Sequence, residues 1–323
     1  ARILRQRIDP AIATAALRLG TAGLTRIAVL SGHRPGPAGT SEALAPLLRL
    51  LRGEGFDPMA IDHVPGVDDG FSLLMIPGQG TAMLESDVAA VEEWVSSGLP
   101  LLIALGFSSP ANITENWNRR LAARGVSFGQ GLVCQKWRGT TGTSQCANAL
   151  EIPPSRLAQF HPITASIYLA QRHLLMVGAR PLSIGGGDNE YSREQVFWMD
   201  RNAWVEHSDL PDFVPGPNDS RGPFPLAVAC ELWTPTGNLK GRTLMLGSTG
   251  LFFDPNLRER DFLSSSTRWL LGSEASKSGL VNLPSLPFRP SEQVRARIAN
   301  FSILTLPGCT LLIGFLVFWR RRR

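Results

Sequence analysis

Six polar positions in this chain are of types, and in surroundings, that could support chemistry. His33 and Arg34 follow an apolar run that ends at Ser31, Gln79 sits in the turn PGQG at 77 to 80, Ser108 and Ser109 share GFSSP at 106 to 110, and His161 opens HPIT. A serine hydroxyl with an imidazole as base is the minimal set for acyl transfer. No spacing selects Ser108 or Ser109 as the partner of His33, and Pro110 replaces the second glycine of a nucleophile elbow. Each histidine therefore has a second reading, in which the ring orders its loop through hydrogen bonds.

Other chemistries are excluded more firmly. A phosphate-cradling loop needs Gly-Lys-Ser/Thr, and the lysines at 136, 240 and 277 follow Gln135, Leu239 and Ser276. GQGTAM at 78 to 83 lacks the spacing of a dinucleotide fingerprint and reads as a strand-to-helix turn. There is no Cys-x-x-Cys and no His-Glu-x-x-His, and the five histidines are scattered, so neither a metal nor a cofactor is expected. Cys134 and Cys146 flank a turn-like stretch and could join across a hairpin in an oxidising compartment; the other reading is a pair of unlinked buried thiols.

These side chains need elements to position them. LTRIAVLS at 24 to 31 reads as a buried strand, followed by a helix with Leu44, Leu47, Leu48 and Leu51 on one face and Gly53 as its stop. FSLLMI at 71 to 76 repeats the unit, with a helix carrying Leu84, Val88, Val91 and Val95 that ends at Gly98. LPLLIAL at 99 to 105 is the next strand. Continuous apolar strands alternating with amphipathic helices indicate an α/β fold around a parallel sheet. A helix from Glu115 to Arg124 and strand-like residues 126 to 137 complete this part. Residues 181 to 224, dense in Gly, Pro and Asp, read as long surface loops. PLAVACELW and RTLMLG read as two further buried strands, followed by a helix through ERDFLSSSTRWLLG.

The nineteen residues from Phe301 to Trp319 carry no charge, and as a helix would span roughly 28 Å, near a bilayer's apolar thickness. Trp319 suits an interfacial anchor, and Arg320, Arg321, Arg322 and Arg323 favour a cytoplasmic tail. Setting those four arginines aside from the net charge of +5 leaves about +1, so no basic surface for nucleic acid is expected. The opening ARILRQRIDP contains no signal peptide or first span, and a segment upstream of Ala1 is expected.

In order along the chain, AVLSGH, LLMIPGQGTAMLESDVAAVEEWVSSGLPLLIALG, FHPIT, GPFPLAVACE and GRTLMLGSTGLFFDPNLRERDFLSSSTRWLLG, then an apolar segment before arginines, resemble the GldG family. Members are auxiliary subunits of ABC transport systems, named for their link to gliding motility. The resemblance implies a flavodoxin-like, amidotransferase-like parallel-sheet lobe over 1 to 150 and a second α/β lobe over 151 to 275. A Pro-rich tether at 276 to 300, a transmembrane helix at 301 to 319 and the tail at 320 to 323 complete the expected organisation. The first lobe is similar to class I glutamine amidotransferases, in which this strand leads to a nucleophilic cysteine; Ala104 stands there instead and cannot attack a carbonyl. Family members often have an acid after SGH and two acids at a later strand end, where this chain has Arg34, Ser248 and Gly250.

The resemblance implies a non-enzymatic, extracytoplasmic subunit, anchored in the inner membrane beside a separate permease and ATPase. His33, Arg34, Gln79, Ser108 and His161 are the candidate contacts with ligand or partner. A membrane-tethered hydrolase using Ser108 or Ser109 with His33, or a scaffold of an envelope assembly, are the alternatives.

Overall fold

The computed structural model describes residues 24–31, 41–138, 144–147, 149–207, 215–217, 219–254 and 256–272. All of them belong to one compact unit within 1–281. His33, Arg34, the tether, the expected span from Phe301 to Trp319 and the four terminal arginines lie outside the described residues. Among the described residues no helix is long and apolar enough to cross a membrane.

The first part follows the expected alternation: β1 (Arg26–Leu30), α1 (Ser41–Gly53), β2 (Asp57–Ile61), β3 (Leu73–Ile76), α2 (Glu85–Ser96), β4 (Leu101–Ala104) and α3 (Ala111–Arg120). Every residue of β3 and β4 is buried, as strands covered on both faces require. Then come β5 (Val126–Phe128), β6 (Leu132–Arg138), β7 (Ser144–Ala147), β8 (Ala149–Ile152), α4 (Ala165–Leu169), β9 (Leu174–Val177) and β10 (Leu182–Ile184). The remainder is β11 (Tyr191–Met199), β12 (Ala203–Glu206), β13 (Ser220–Arg221), β14 (Phe224–Trp233), β15 (Leu239–Leu246), α5 (Gly250–Phe253) and α6 (Arg260–Leu270).

Seven strands form the main sheet in the order β2-β1-β3-β4-β15-β14-β11. The first five are parallel, and β14 and β11 extend the sheet antiparallel. The parallel part has the doubly wound 2-1-3-4-5 order, with β15 as its fifth strand. One face packs α1, through Leu44, Leu47 and Leu51, and α6, through Phe262, Leu263 and Trp269; the other packs Val91 and Trp94 of α2 with Ile113 and Trp117 of α3. Burying each large apolar side chain is worth about 1.5–3 kcal/mol, so the two layers hold the sheet from both sides.

Four sequence expectations change. The division at residue 150 does not separate two lobes, because β15, β14 and β11 from the later part complete the sheet begun by β1 to β4. Residues 181 to 224 are not all loop: Tyr191–Met199 is a nine-residue edge strand, whose outer half alternates exposed and half-buried positions because only one neighbour covers it. On α2 the buried stripe is Asp87, Val91 and Trp94, whereas Leu84 precedes the helix and is 54% exposed. The helix expected from Glu115 to Arg124 starts earlier, at Ala111, and gives way to a short 3-10 turn, Ala122–Arg124.

Smaller antiparallel pieces cover the later strands: β13-β12-β6-β7, β8 with β9, and β5 with β10. The hairpin expected between the two cysteines is present, but its register sets Cys146 opposite Lys136, while Cys134 lies beside Trp204 of β12. The side chain of Cys146 is outside the described residues.

Candidate functional site

Open α/β sheets bind ligands beyond the carboxyl ends of their parallel strands, because the loops there diverge. At this crest the loop after β3 carries Gln79, the loop after β4 carries Ser108 and Ser109, and the loop after β15 carries Ser248 and Thr249. Two of the sequence candidates, Gln79 and Ser108, are thus on neighbouring loops. Gln79 is buried and hydrogen-bonded through both polar atoms: its amide nitrogen donates to the Thr81 carbonyl (2.9 Å) and its oxygen accepts from the Trp117 indole (2.6 Å). It braces α3 against the β3 loop. Ser108 is exposed and Ser109 is buried.

Beneath the Ser108 loop lies Arg180, 1% exposed. Its guanidinium donates to the carbonyls of Phe107 (3.3 Å) and Ser109 (3.0 Å) and to the Thr114 hydroxyl. Burial pushes its pKa down to about 10, and none of these hydrogen-bond partners is an acid. Its backbone amide donates to the Gly247 carbonyl (2.7 Å), and Ser248 donates through its hydroxyl to the Val177 carbonyl (2.7 Å). The crest loops are therefore tied to one another by hydrogen bonds. Ala104, the last residue of β4, is wholly buried below them and carries no nucleophile. At the β2 side, the buried Asp87 carboxylate accepts from the Val64 amide (2.9 Å) and lies 3.3 Å from the exposed His63 ring.

His161 is not part of the crest. It lines a cavity of about 220 Å³ with Ser192 and Glu194 of β11, Glu231 of β14, Arg242 of β15 and Trp269 of α6. Strand register explains the grouping: Ser192 is opposite Glu231, and Glu231 is opposite Arg242, so the three form one row across the sheet. Thr243 pairs with Leu101 and Leu246 with Ala104, which puts Arg242 at the amino end of the parallel strands. Four residues at about 3.3 Å each separate it from the crest end of β15 by roughly 13 Å.

The cavity's groups are strongly coupled. The Arg242 Nε donates to Glu231 (3.0 Å), its Nη1 donates to the Trp269 carbonyl (2.5 Å), and its guanidinium carbon lies 5.0 Å from the Trp269 ring centre. His161 packs its ring 5.2 Å from that of Trp269, and its Nδ1 accepts from the Ile163 amide (3.2 Å). Burial, and then the charge on Arg242, hold the His161 pKa down at about 4. The ring is thus neutral at pH 7 and carries its proton on Nε2. Glu194 titrates above the usual carboxylate range because of partial burial and the charge of Glu231. The sequence reading included His161 and missed Glu194, Glu231, Arg242 and Trp269; charged residues inside the apolar runs ACELW and GRTLML were the available signal.

The buried Cys230 thiol is pushed up to about 12 by burial, so it is no thiolate at neutral pH. Among the described residues no cluster of three or more His, Cys, Asp or Glu is arranged to hold a metal.

No known family model and no curated protein matches the chain. Among solved structures it is similar to the mmIFT52 N-terminal domain, at 13% identity and a TM-score of 0.51, over 76% of this chain and 96% of that one. It is also similar to a putative ThuA-like protein from Parabacteroides merdae, at 10% identity and a TM-score of 0.43, over 77% and 90% of the two chains. A third is the exo-β-1,4-mannosidase Op5Man5 from Opitutaceae bacterium strain TAV5, at 13% identity and 0.41, over 77% of this chain and 36% of that one. At such identities the first likeness concerns the fold alone.

Proposed function

We propose that this chain is a non-enzymatic recognition subunit with a flavodoxin-like, amidotransferase-type core, held at the inner membrane by residues 301 to 319, its body extracytoplasmic. It works beside the separate permease and ATPase of an ABC-type transport system. The observation that carries this reading is Ala104: where an amidotransferase-type lobe needs a thiolate, β4 ends in a buried methyl. The crest above it supports the same reading, since Gln79, Arg180 and Ser248 use their polar groups to hold loops together. The chain has no Walker lysine, so energy for transport must come from another chain. The order of motifs shared with the GldG family supplies the transport context. A tether raises the body's effective concentration at a membrane partner without any new contact.

Fractionation and protease protection test the arrangement. The full chain is expected to sediment with membranes, resist alkaline carbonate, and lose its body to protease added outside spheroplasts. A chain ending at residue 300 is expected in the aqueous fraction. Recovery of the full chain as an aqueous protein, or a body shielded from outside protease, sinks the proposal.

A further inference from the structure

We propose that the cavity between α6 and the antiparallel edge of the sheet binds a small organic ammonium compound, with its cation on Glu194 and its carbon body against Trp269 and Pro162. The argument begins with charge. Arg242 is matched by Glu231 at 3.0 Å, and His161 is neutral at pH 7, so neither adds net charge to the cavity. The Glu194 carboxylate forms no hydrogen bond or ion pair among the described residues, which leaves one uncompensated negative charge among the cavity's described lining groups. Register sets Glu194 opposite Ala229 and Glu231 one position further along the same face, so the two carboxylates are diagonal neighbours. A cation between them relieves their repulsion; an anion would add to it.

Shape narrows the class. Ala229, almost wholly buried, forms the floor, and its small side chain provides the depth. Pro162 and the small part of Trp269 left open beside Arg242 and His161 supply an apolar wall, which suits an organic cation better than a hydrated metal ion. With Nδ1 committed to the Ile163 amide, the His161 Nε2–H is a donor for an acceptor group on the ligand. At about 220 Å³ the cavity is smaller than the roughly 300–1,000 Å³ of sites that take drug-sized ligands, so the occupant is a compound of few heavy atoms. The inference concerns the body alone and holds whether or not the chain serves a transporter.

Calorimetric titration of the full chain with 2-aminoethanol, 3-aminopropanol, acetate and sodium chloride tests it. The two amino alcohols are expected to bind at one site per chain, with acetate and sodium silent. Glu194→Gln, on the exposed edge strand, should weaken amino alcohol binding at least tenfold with a melting temperature equal to or above wild type, and Ala229→Val should reduce it by filling the floor. Acetate binding as tightly as the amino alcohols, absence of binding by both amines, or unchanged amine affinity in Glu194→Gln would each overturn the assignment.

Discussion

Replacing His161 with Asn should remove a large part of the protein's sensitivity to acid. The ring accepts a proton near pH 6.5 when unfolded and only at about 4 when folded, because burial and the Arg242 charge oppose the cation. Between those values the unfolded chain binds a proton that the folded chain refuses, so stability is full above pH 6.5, falls with pH through the window, and levels off below about 4. A separation of about 2.5 pH units at 1.36 kcal/mol each is worth about 3 kcal/mol. Asparagine can keep an acceptor for the Ile163 amide but cannot protonate. The constant loss from the Trp269 ring contact does not vary with pH, and the raised carboxyls of Glu194 and Glu259 shift stability the opposite way in both proteins. The assay is urea unfolding at intervals from pH 7.5 to 4. Wild type should lose about 3 kcal/mol more than His161→Asn over that range. Parallel curves would show that the ring titrates normally, and would refute the buried, Arg242-facing environment from which the prediction is built.

Gln79→Leu strands the buried Trp117 indole N–H and should cost about 1–3 kcal/mol in denaturant unfolding; a wild-type midpoint would remove Gln79 as a brace. Gly241→Ala would bring a methyl carbon to 2.0 Å from the Gly98 carbonyl oxygen. It should destabilise by about 3 kcal/mol, so an unaltered melting temperature would contradict the contact between β15 and the end of α2. A serine-reactive phosphonate probe should leave the chain unlabelled. Labelling that disappears in Ser108→Ala would restore the hydrolase reading, since Ser108 is the exposed serine of the crest.

The parallel core was legible because strands buried on both faces admit almost no polar residue. LLMI and LLIA announce themselves, as does the Leu44-Leu47-Leu48-Leu51 stripe that covers them. β11 was not, because an edge strand needs apolar residues on one face only, and YSREQ resembles a loop until Val196 and Phe197. Nor could sequence show that residues on both sides of 150 share one sheet, since β15 joins β4 across more than a hundred residues and its neighbour is set by packing. His161 was found by residue type, but the cavity around it depends on register. Ser192 is remote in sequence from the Glu231–Arg242 strand pair, and the three meet because two strand pairings align them. Gln79 lies in the strand-to-helix turn that the sequence suggested, yet the hydrogen bonds that make it a brace come from α3 and from Thr81.

The central claim is that this body recognises rather than reacts, in company with chains that supply the energy. Pull-down of the tagged full chain from native membranes in mild detergent, with mass-spectrometric identification and quantitation of its neighbours, tests it most directly. The account predicts a permease and an ATPase recovered in fixed ratio with the chain. A lone, monodisperse protein free of both would contradict it.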